Sequence, residues 1–241
     1  MIPLHLLIKY TMAKAETKSF KDETPKNKFF DGLTISEQEF LSYKKKQLTY
    51  LKGENIFKQG AFAPYIIYIH SGLVKVYLQT GYEKQVNISI AKAGDFLAFS
   101  SIFGEDVYTY SSVAITDAEI CMIDKEGMRE LLFKNNDFAM RITSSNYRNE
   151  NHLLNIISSI SYKQMRGKLA TALLYLSSKE LLDEHVFQHL TRQDIADFAS
   201  ISTESAIKFL KEFEKENILK LDGKDIVIID FERLKGIAKS G

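Results

Sequence analysis

The sequence predicts an α+β chain in three parts: an N-terminal double-stranded β-helix (jelly-roll) barrel, a long dimerisation helix, and a C-terminal winged helix-turn-helix. Three observations predict it. Half of the twelve glycines (Gly53, Gly60, Gly72, Gly81, Gly94, Gly104) punctuate short apolar runs between Leu51 and Ile123, which is strand-and-turn spacing. No Pro or Gly interrupts residues 128–166, so a long helix meets no breaker there. Beyond Leu190, two short helical patterns are followed by Asp222-Gly223 between two apolar runs, a hairpin signal.

Composition bounds the reading before any motif does. A chain of 241 residues can hold one large or two ordinary cores. Lys and Arg number 32 against 31 Asp and Glu, and residues 161–241 carry 13 of each sign. Any surface for nucleic acid must therefore be a local patch. The single Cys121 excludes a disulfide framework and a cysteine-based metal centre; within Ile120-Cys121-Met122-Ile123 it reads as a buried apolar thiol. No metal site is expected. The Ile2–Ile8 run is too short to span a bilayer and lacks a convincing cleavage site. The expectation is a cytoplasmic protein without membrane contact, whose leader (1–29) is poorly ordered and whose start could equally be Met12.

The elements follow in order. Ser36-Glu37-Gln38-Glu39 has capping-box spacing and opens a helix through Phe40, Leu41 and Tyr43, with Lys44–Lys46 on its solvated face. The barrel occupies 30–133, its strands including Tyr65–Ile69, Val74–Leu78, Val86–Ile90 and Ser112–Ile115. In the dimerisation helix (134–161), Ile142, Ser145, Asn149, Leu153, Ile156 and Ile160 follow an approximate 3/4 spacing and are expected at the interface. About 25 residues at 1.5 Å each give a rod of roughly 35–40 Å, longer than one small domain covers, and a second copy is the simplest partner. The C-terminal domain (162–241) opens with a helix at Gly167–Leu176, and Val186–Leu190 reads as a short strand.

The most informative segment is Leu190–Leu210. Thr191 with Asp194 three residues on is an N-cap arrangement, and Ile195, Phe198 and Ala199 form an apolar face. Ser202 caps a second helix whose Ala206, Phe209, Leu210 and Phe213 turn inward, leaving Thr203, Glu204 and Lys208 outside. Two helices joined by a three- to four-residue turn are the helix-turn-helix pattern, and Asp222-Gly223 supplies the wing. The expected DNA-facing residues are Thr191, Arg192 and Gln193, reading as phosphate contacts, and Ser202, Thr203, Glu204, Ser205 and Lys208 on the second helix. Glu204 suits a cytosine amino group, Lys208 a guanine or phosphate, and Thr203 a thymine methyl.

Over residues 30–235 the chain resembles the Crp/Fnr family of bacterial transcription regulators. The matching residues are Gly53-Glu54-Asn55-Ile56-Phe57 with Gly60, Tyr68–Val76, Ala93-Gly94-Asp95-Phe96, Gly167-Lys168-Leu169-Ala170 and Leu190–Ala196. The resemblance implies a cyclic-nucleotide-binding-like barrel, a homodimer, a two-fold symmetric double-stranded DNA operator and, for an activator, RNA polymerase as partner. It also exposes departures. Where cyclic-AMP-binding members carry a Gly-Glu pair and an Arg-Ser pair, this chain has Ala98-Phe99 and, near the second, Tyr108-Thr109; Leu153-Leu154 replaces the adenine-contacting polar pair. No Arg or Lys lies between residues 95 and 124, so a cyclic phosphate would lack its charge-assisted partner. The cysteines of oxygen-sensing members are missing, and His70 and His152 read as ordinary polar residues rather than haem ligands.

No cofactor is therefore expected. Two alternatives stay open for the barrel: an unidentified apolar or weakly polar effector among Phe96, Phe99, Phe103, Tyr108, Tyr110 and Leu153, or an aromatic core that binds nothing. No phosphate loop, metalloprotease run or nucleophile elbow points to an enzyme, so no catalytic residues are expected. The competing reading is a cyclic-nucleotide-like scaffold or ligand-binding dimer that does not bind DNA, which the neutral C-terminal charge favours and Thr191-Arg192-Gln193 and Lys208 oppose.

Overall fold

The computed structural model describes residues 30, 32–82, 84–104 and 106–241, and only the backbone of 145–152 and 240. The leader at 1–29 lies outside the described residues.

Eight strands build the barrel: β1 (Lys45–Tyr50), β2 (Asn55–Phe57), β3 (Tyr65–Ser71), β4 (Val74–Gly81), β5 (Lys84–Ala91), β6 (Phe96–Leu97), β7 (Ser111–Ala114) and β8 (Ala118–Asp124). They pair antiparallel in two four-stranded sheets, ordered β1-β8-β3-β6 and β2-β7-β4-β5. The apolar run of β3 does not alternate because both of its faces are buried. Ile67 and Ile69 enter the core between the sheets with Val74, Val76 and Ile120. Ile66 and Tyr68 pack outward against Leu41, Met128, Leu131 and Phe138 from the covering helices. Gly72 sits between β3 and β4 at φ +86°, where a Cβ would collide with the Asp117 carbonyl.

The first helix, α1 (Ile35–Tyr43), is capped two residues earlier than the sequence suggests. Thr34, not Ser36, is the N-cap, and Glu37 closes the capping box. Lys45 and Lys46 are not on a helix face: they begin β1, an edge strand paired with β8 whose middle four residues are exposed. Lysine on a sheet edge discourages pairing with another chain.

α2 (Lys125–Lys134) is followed by α3 (Asn136–Tyr162), 27 residues long. The break between them needs no Pro or Gly, because Asn135 is extended (φ −124°, ψ 95°) and its side chain accepts the Phe138 N–H at 2.9 Å.

The C-terminal domain comprises α4 (Met165–Leu176), α5 (Arg192–Ala199), α6 (Thr203–Lys215), β9 (Leu219–Asp222), β10 (Asp225–Ile228) and α7 (Phe231–Ser240). Val186–His189 is a 3-10 turn rather than the expected strand. The hairpin loop is Gly223-Lys224, because Asp222 pairs with Asp225 at the end of the ladder. α7 packs on α4, and at Gly167 any Cβ would meet the backbone of Gly241 at 2.7 Å. Arg166 ties α4 to α6 through Glu216 (2.7 Å) and Glu212 (3.7 Å), and its guanidinium lies 5.0 Å over the Phe213 ring.

This domain docks on the second sheet of the barrel. Leu73, Ile90 and Ile115 belong to the same apolar cluster as Leu173, Phe198 and Leu210. Polar contacts flank it: Lys75 donates to Asp194, Asn87 to the Asp194 carbonyl (2.9 Å), and Gln85 to Asp197 (2.8 Å). The Tyr175 hydroxyl accepts the Ile90 N–H at 2.8 Å.

Candidate nucleic-acid interface and barrel cavity

α5 is short and needs its cap. Thr191 donates its N–H (2.8 Å) and its hydroxyl (2.6 Å) to Asp194, and the Asp194 N–H returns a bond to the hydroxyl at 3.0 Å. The Thr191 N–H and hydroxyl are thus both committed to starting the helix, and neither stands free for the phosphate contact the sequence suggested. Burial pushes the Asp194 carboxyl up, and the bonds from Lys75 and Thr191 outweigh it, holding it below the usual carboxylate range.

Arg192 donates to the carbonyls of Gly223 (2.9 Å) and Lys224 (3.4 Å), bracing the wing turn against α5. Gln193 donates to Asp197 at 2.7 Å and accepts the Thr203 hydroxyl, linking the two helices of the motif. Asp197, nearly buried, takes Gln193 on one oxygen and the barrel's Gln85 on the other.

Between the helices lie Ser200, Ile201 and Ser202. Ser200 adopts φ +52°, ψ +46°, a left-handed conformation that costs a non-glycine residue energy. Its hydroxyl is buried with no hydrogen-bond partner among the described residues. Ser202 caps α6 by accepting the Ser205 N–H at 3.2 Å, and its own hydroxyl donates to that of Ser205 (3.0 Å).

α6 divides cleanly. Ala206, Leu210 and Phe213 are buried, while Glu204, Ile207, Lys208 and Lys211 are exposed on the other side. Phe209, expected inside, is only partly buried. Lys208 is 71% exposed, with Glu212 at 4.0 Å and its ammonium 5.7 Å from the centre of the Phe209 ring. The exposed Ile207 was missed by sequence reasoning, because an apolar residue at that spacing reads as core.

The barrel holds a cavity of about 430 Å³ against α3. Phe96, Phe99, Phe103, Tyr110 and Leu153 line it, with Ser89, Ser100 and Thr143, and among the described residues no charged side chain does. Tyr108 is elsewhere: it stacks on Phe57 with ring centres 4.2 Å apart and donates to the Tyr65 carbonyl at 3.3 Å. The Tyr110 hydroxyl accepts the Ala98 N–H at 2.6 Å, at the position of the family's Gly-Glu pair. Burial pushes Tyr110 up to about 12, so it stays protonated at neutral pH.

The long helix leaves only part of the expected stripe exposed: Leu153 and Ile160 face solvent, and Ile142 does not. Ile142 is 1% exposed, packed with Phe30 and Phe138 in the barrel's outer core, and cannot meet a second chain. Ile156 is half-buried and lines a cavity within its own chain. The side chains of Ser145 and Asn149 lie outside the described residues. Its solvent-facing apolar residues include Leu153, Leu154, Ile157 and Ile160, of which Leu154 and Ile157 are about 60% exposed, with Met140 nearer its start and Tyr162 at its end.

Two family models match the chain: the cyclic nucleotide-binding domain over residues 47–135 and the Crp-like helix-turn-helix domain over 167–237. A CRP-like cAMP-activated global transcriptional regulator of Mycobacterium tuberculosis is 24% identical over 212 residues, covering 85% of this chain and 93% of the relative. The fumarate and nitrate reduction regulatory protein of Vibrio cholerae is 26% identical over 194 residues, covering 78% and 76%. The fold of FixK2 from Bradyrhizobium japonicum superposes with a TM-score of 0.69 at 17% identity, over 82% of this chain and 98% of that one. Among the described residues no helix is long and apolar enough to cross a membrane. With both family domains in place, and a capped helix pair and wing at the C-terminal end, the chain belongs to the Crp/Fnr family of DNA-binding transcription regulators.

Proposed function

We propose that the chain works as a homodimer that reads a two-fold symmetric double-stranded DNA operator and regulates transcription without answering to cyclic AMP. The observation that carries the DNA reading is α6, with its inner face buried in the domain core and Glu204, Ile207, Lys208 and Lys211 exposed along the other. A helix so placed enters the major groove by its N-terminal end. Glu204 then accepts from a cytosine amino group and Lys208 donates to guanine or phosphate. Thr203 holds Gln193 with its hydroxyl and has its methyl to offer a thymine, while Ser202 and Ser205 cap the helix end nearest the DNA. The N-terminus of α5 meets phosphate, and Arg192 positions the wing. RNA polymerase is the further partner if the protein activates. No catalytic role is assigned to any residue.

The second copy docks on the Leu154 and Ile157 face of α3, the most exposed part of an apolar stripe whose margins are the partly covered Leu153 and Ile160. The cyclic AMP clause rests on the cavity. A cyclic phosphate is an anion, and among the described residues the lining offers it phenylalanines and hydroxyls but no cation, which makes its burial costly.

Selecting fragments bound by the purified chain from a random DNA pool, with and without cyclic AMP, tests all of this together. The expected outcome is one palindromic motif with half-sites about 34 Å apart, equally enriched in both arms. A motif that emerges only with cyclic AMP removes the cyclic AMP clause. Enrichment of nothing by folded dimer, even after addition of cell extract, leaves the DNA-free scaffold as the function.

A further inference from the structure

A second cavity, of about 330 Å³, lies beside the first and shares Ile88 with it. Its wall is drawn from β5, the C-terminal end of α3, α4 and α5. Ile88, Ile156, Leu174 and Phe198 give it an apolar side, and Lys163 and Lys168 line it as well. Among the described residues no carboxylate lines it and neither lysine is in an ion pair.

The lysines are placed rather than loose. Lys163 donates to the Thr171 hydroxyl at 2.8 Å, and Thr171 donates onward to the Gly167 carbonyl at 2.9 Å. That chain fixes the ammonium without neutralising it, and partial burial depresses the Lys163 pKa. Lys168 falls in the first turn and a half of α4, an end of a helix that disfavours a cation unless an anion is near. Two half-buried cations of like sign around one cavity, with no acidic group to offset them, raise the energy of the empty site.

We propose that this cavity binds an amphiphilic organic anion, with a carboxylate or phosphate-ester head between Lys163 and Lys168 and a short apolar body against Ile88, Ile156 and Phe198. An occupant touches the barrel, the long helix and both α4 and α5, so it fixes how the DNA-binding domain sits on the barrel. The site is separate from the aromatic cavity, whose described lining carries no charge.

Calorimetric titration of the full chain, without DNA, with octanoate, octyl phosphate, octanol and inorganic phosphate tests it. One octanoate or octyl phosphate should bind per chain, with octanol and inorganic phosphate at least about tenfold weaker; the tighter of the two amphiphiles identifies the head group. Lys163→Met and Lys168→Met should each weaken the amphiphilic anions by about tenfold and leave octanol unchanged. If Lys163→Met does not fold, as read by circular dichroism, Lys168→Met carries the test alone. Equal binding of octanol and octanoate, anion affinity unchanged in every folded lysine variant, or no saturable binding up to about 10 mM overturns the proposal. Because no DNA is present, its failure and the failure of operator selection are separate results.

Discussion

Lys75→Met removes the cation that meets Asp194 across the seam between the barrel and the DNA-binding domain. The two side chains are 9% and 14% exposed, so the pair is buried. Removing one partner of a buried pair typically costs about 3–5 kcal/mol, because the other charge is left uncompensated. Here Asp194 keeps two bonds from Thr191, and methionine replaces most of the lysine stem, so the loss should fall nearer about 2–3 kcal/mol. Urea unfolding followed by far-ultraviolet circular dichroism measures it. Asp194→Asn keeps an acceptor for Thr191 and removes the charge, so the cycle of single and double variants should show a coupling of about 1.5–3 kcal/mol. The pH dependence has a definite sign. The Asp194 pKa is depressed in the folded chain, so its contribution is present in full above the unfolded carboxylate value of about 3.9 and is lost as pH falls through the lower folded value. The gap between wild type and Lys75→Met should hold from pH 7 to about 5 and close below about 4. Additivity within about 0.5 kcal/mol, or a gap unchanged at pH 3, would refute the reasoning.

Three further outcomes are expected. Glu204→Ala relaxes sequence preference, whereas Lys208→Ala weakens binding to all sequences and lowers the salt slope by about 1; anisotropy titrations on operator and scrambled duplexes at several salt concentrations distinguish them, and identical behaviour of the two variants would reassign the helix face. Ser200→Gly relieves the left-handed serine and its buried hydroxyl, raising stability by about 0.5–1 kcal/mol, and a lowered urea midpoint would mean the side chain is needed. Leu154→Glu with Ile157→Glu should give a monomer in sedimentation that no longer holds a palindromic operator, and an unchanged mass would place the interface elsewhere.

Much of this architecture could be read from residue order, because the signals were local. The helix-turn-helix is a case in point: Thr191 with Asp194 and Ser202 with Ser205 are caps three residues long. Other features depended on distant context. The lysines at 45 and 46 carry no apolar alternation, since β1 is an edge strand whose pairing with β8 comes from backbone bonds. The choice of Thr34 over Ser36 turns on which backbone dihedrals precede α1. The 3/4 spacing along α3 showed that an apolar stripe exists but not whom it faces. Ile142 packs on the barrel, and about three to four turns later the helix offers Leu154 and Ile157 to solvent, so one rod serves two partners. The Lys75–Asp194 bond joins residues 119 apart in the chain and leaves no trace in either local segment. Among the cavity residues, Phe96, Phe99, Phe103, Tyr110 and Leu153 were foreseen, whereas Tyr108 points into the barrel core beside Phe57.

The sharing of Leu73, Ile90 and Ile115 with the C-terminal apolar cluster bears on how such a chain can be recombined. A cut near residue 162 looks natural in the sequence, yet it would open that cluster to water and strand Asp194 without Lys75. Grafting 162–241 onto another barrel would carry over the DNA-facing residues but not their footing, so a chimera should inherit binding specificity only when β4 and β5 travel with it. The portable unit of this protein is larger than its DNA-binding domain and is discontinuous along the chain.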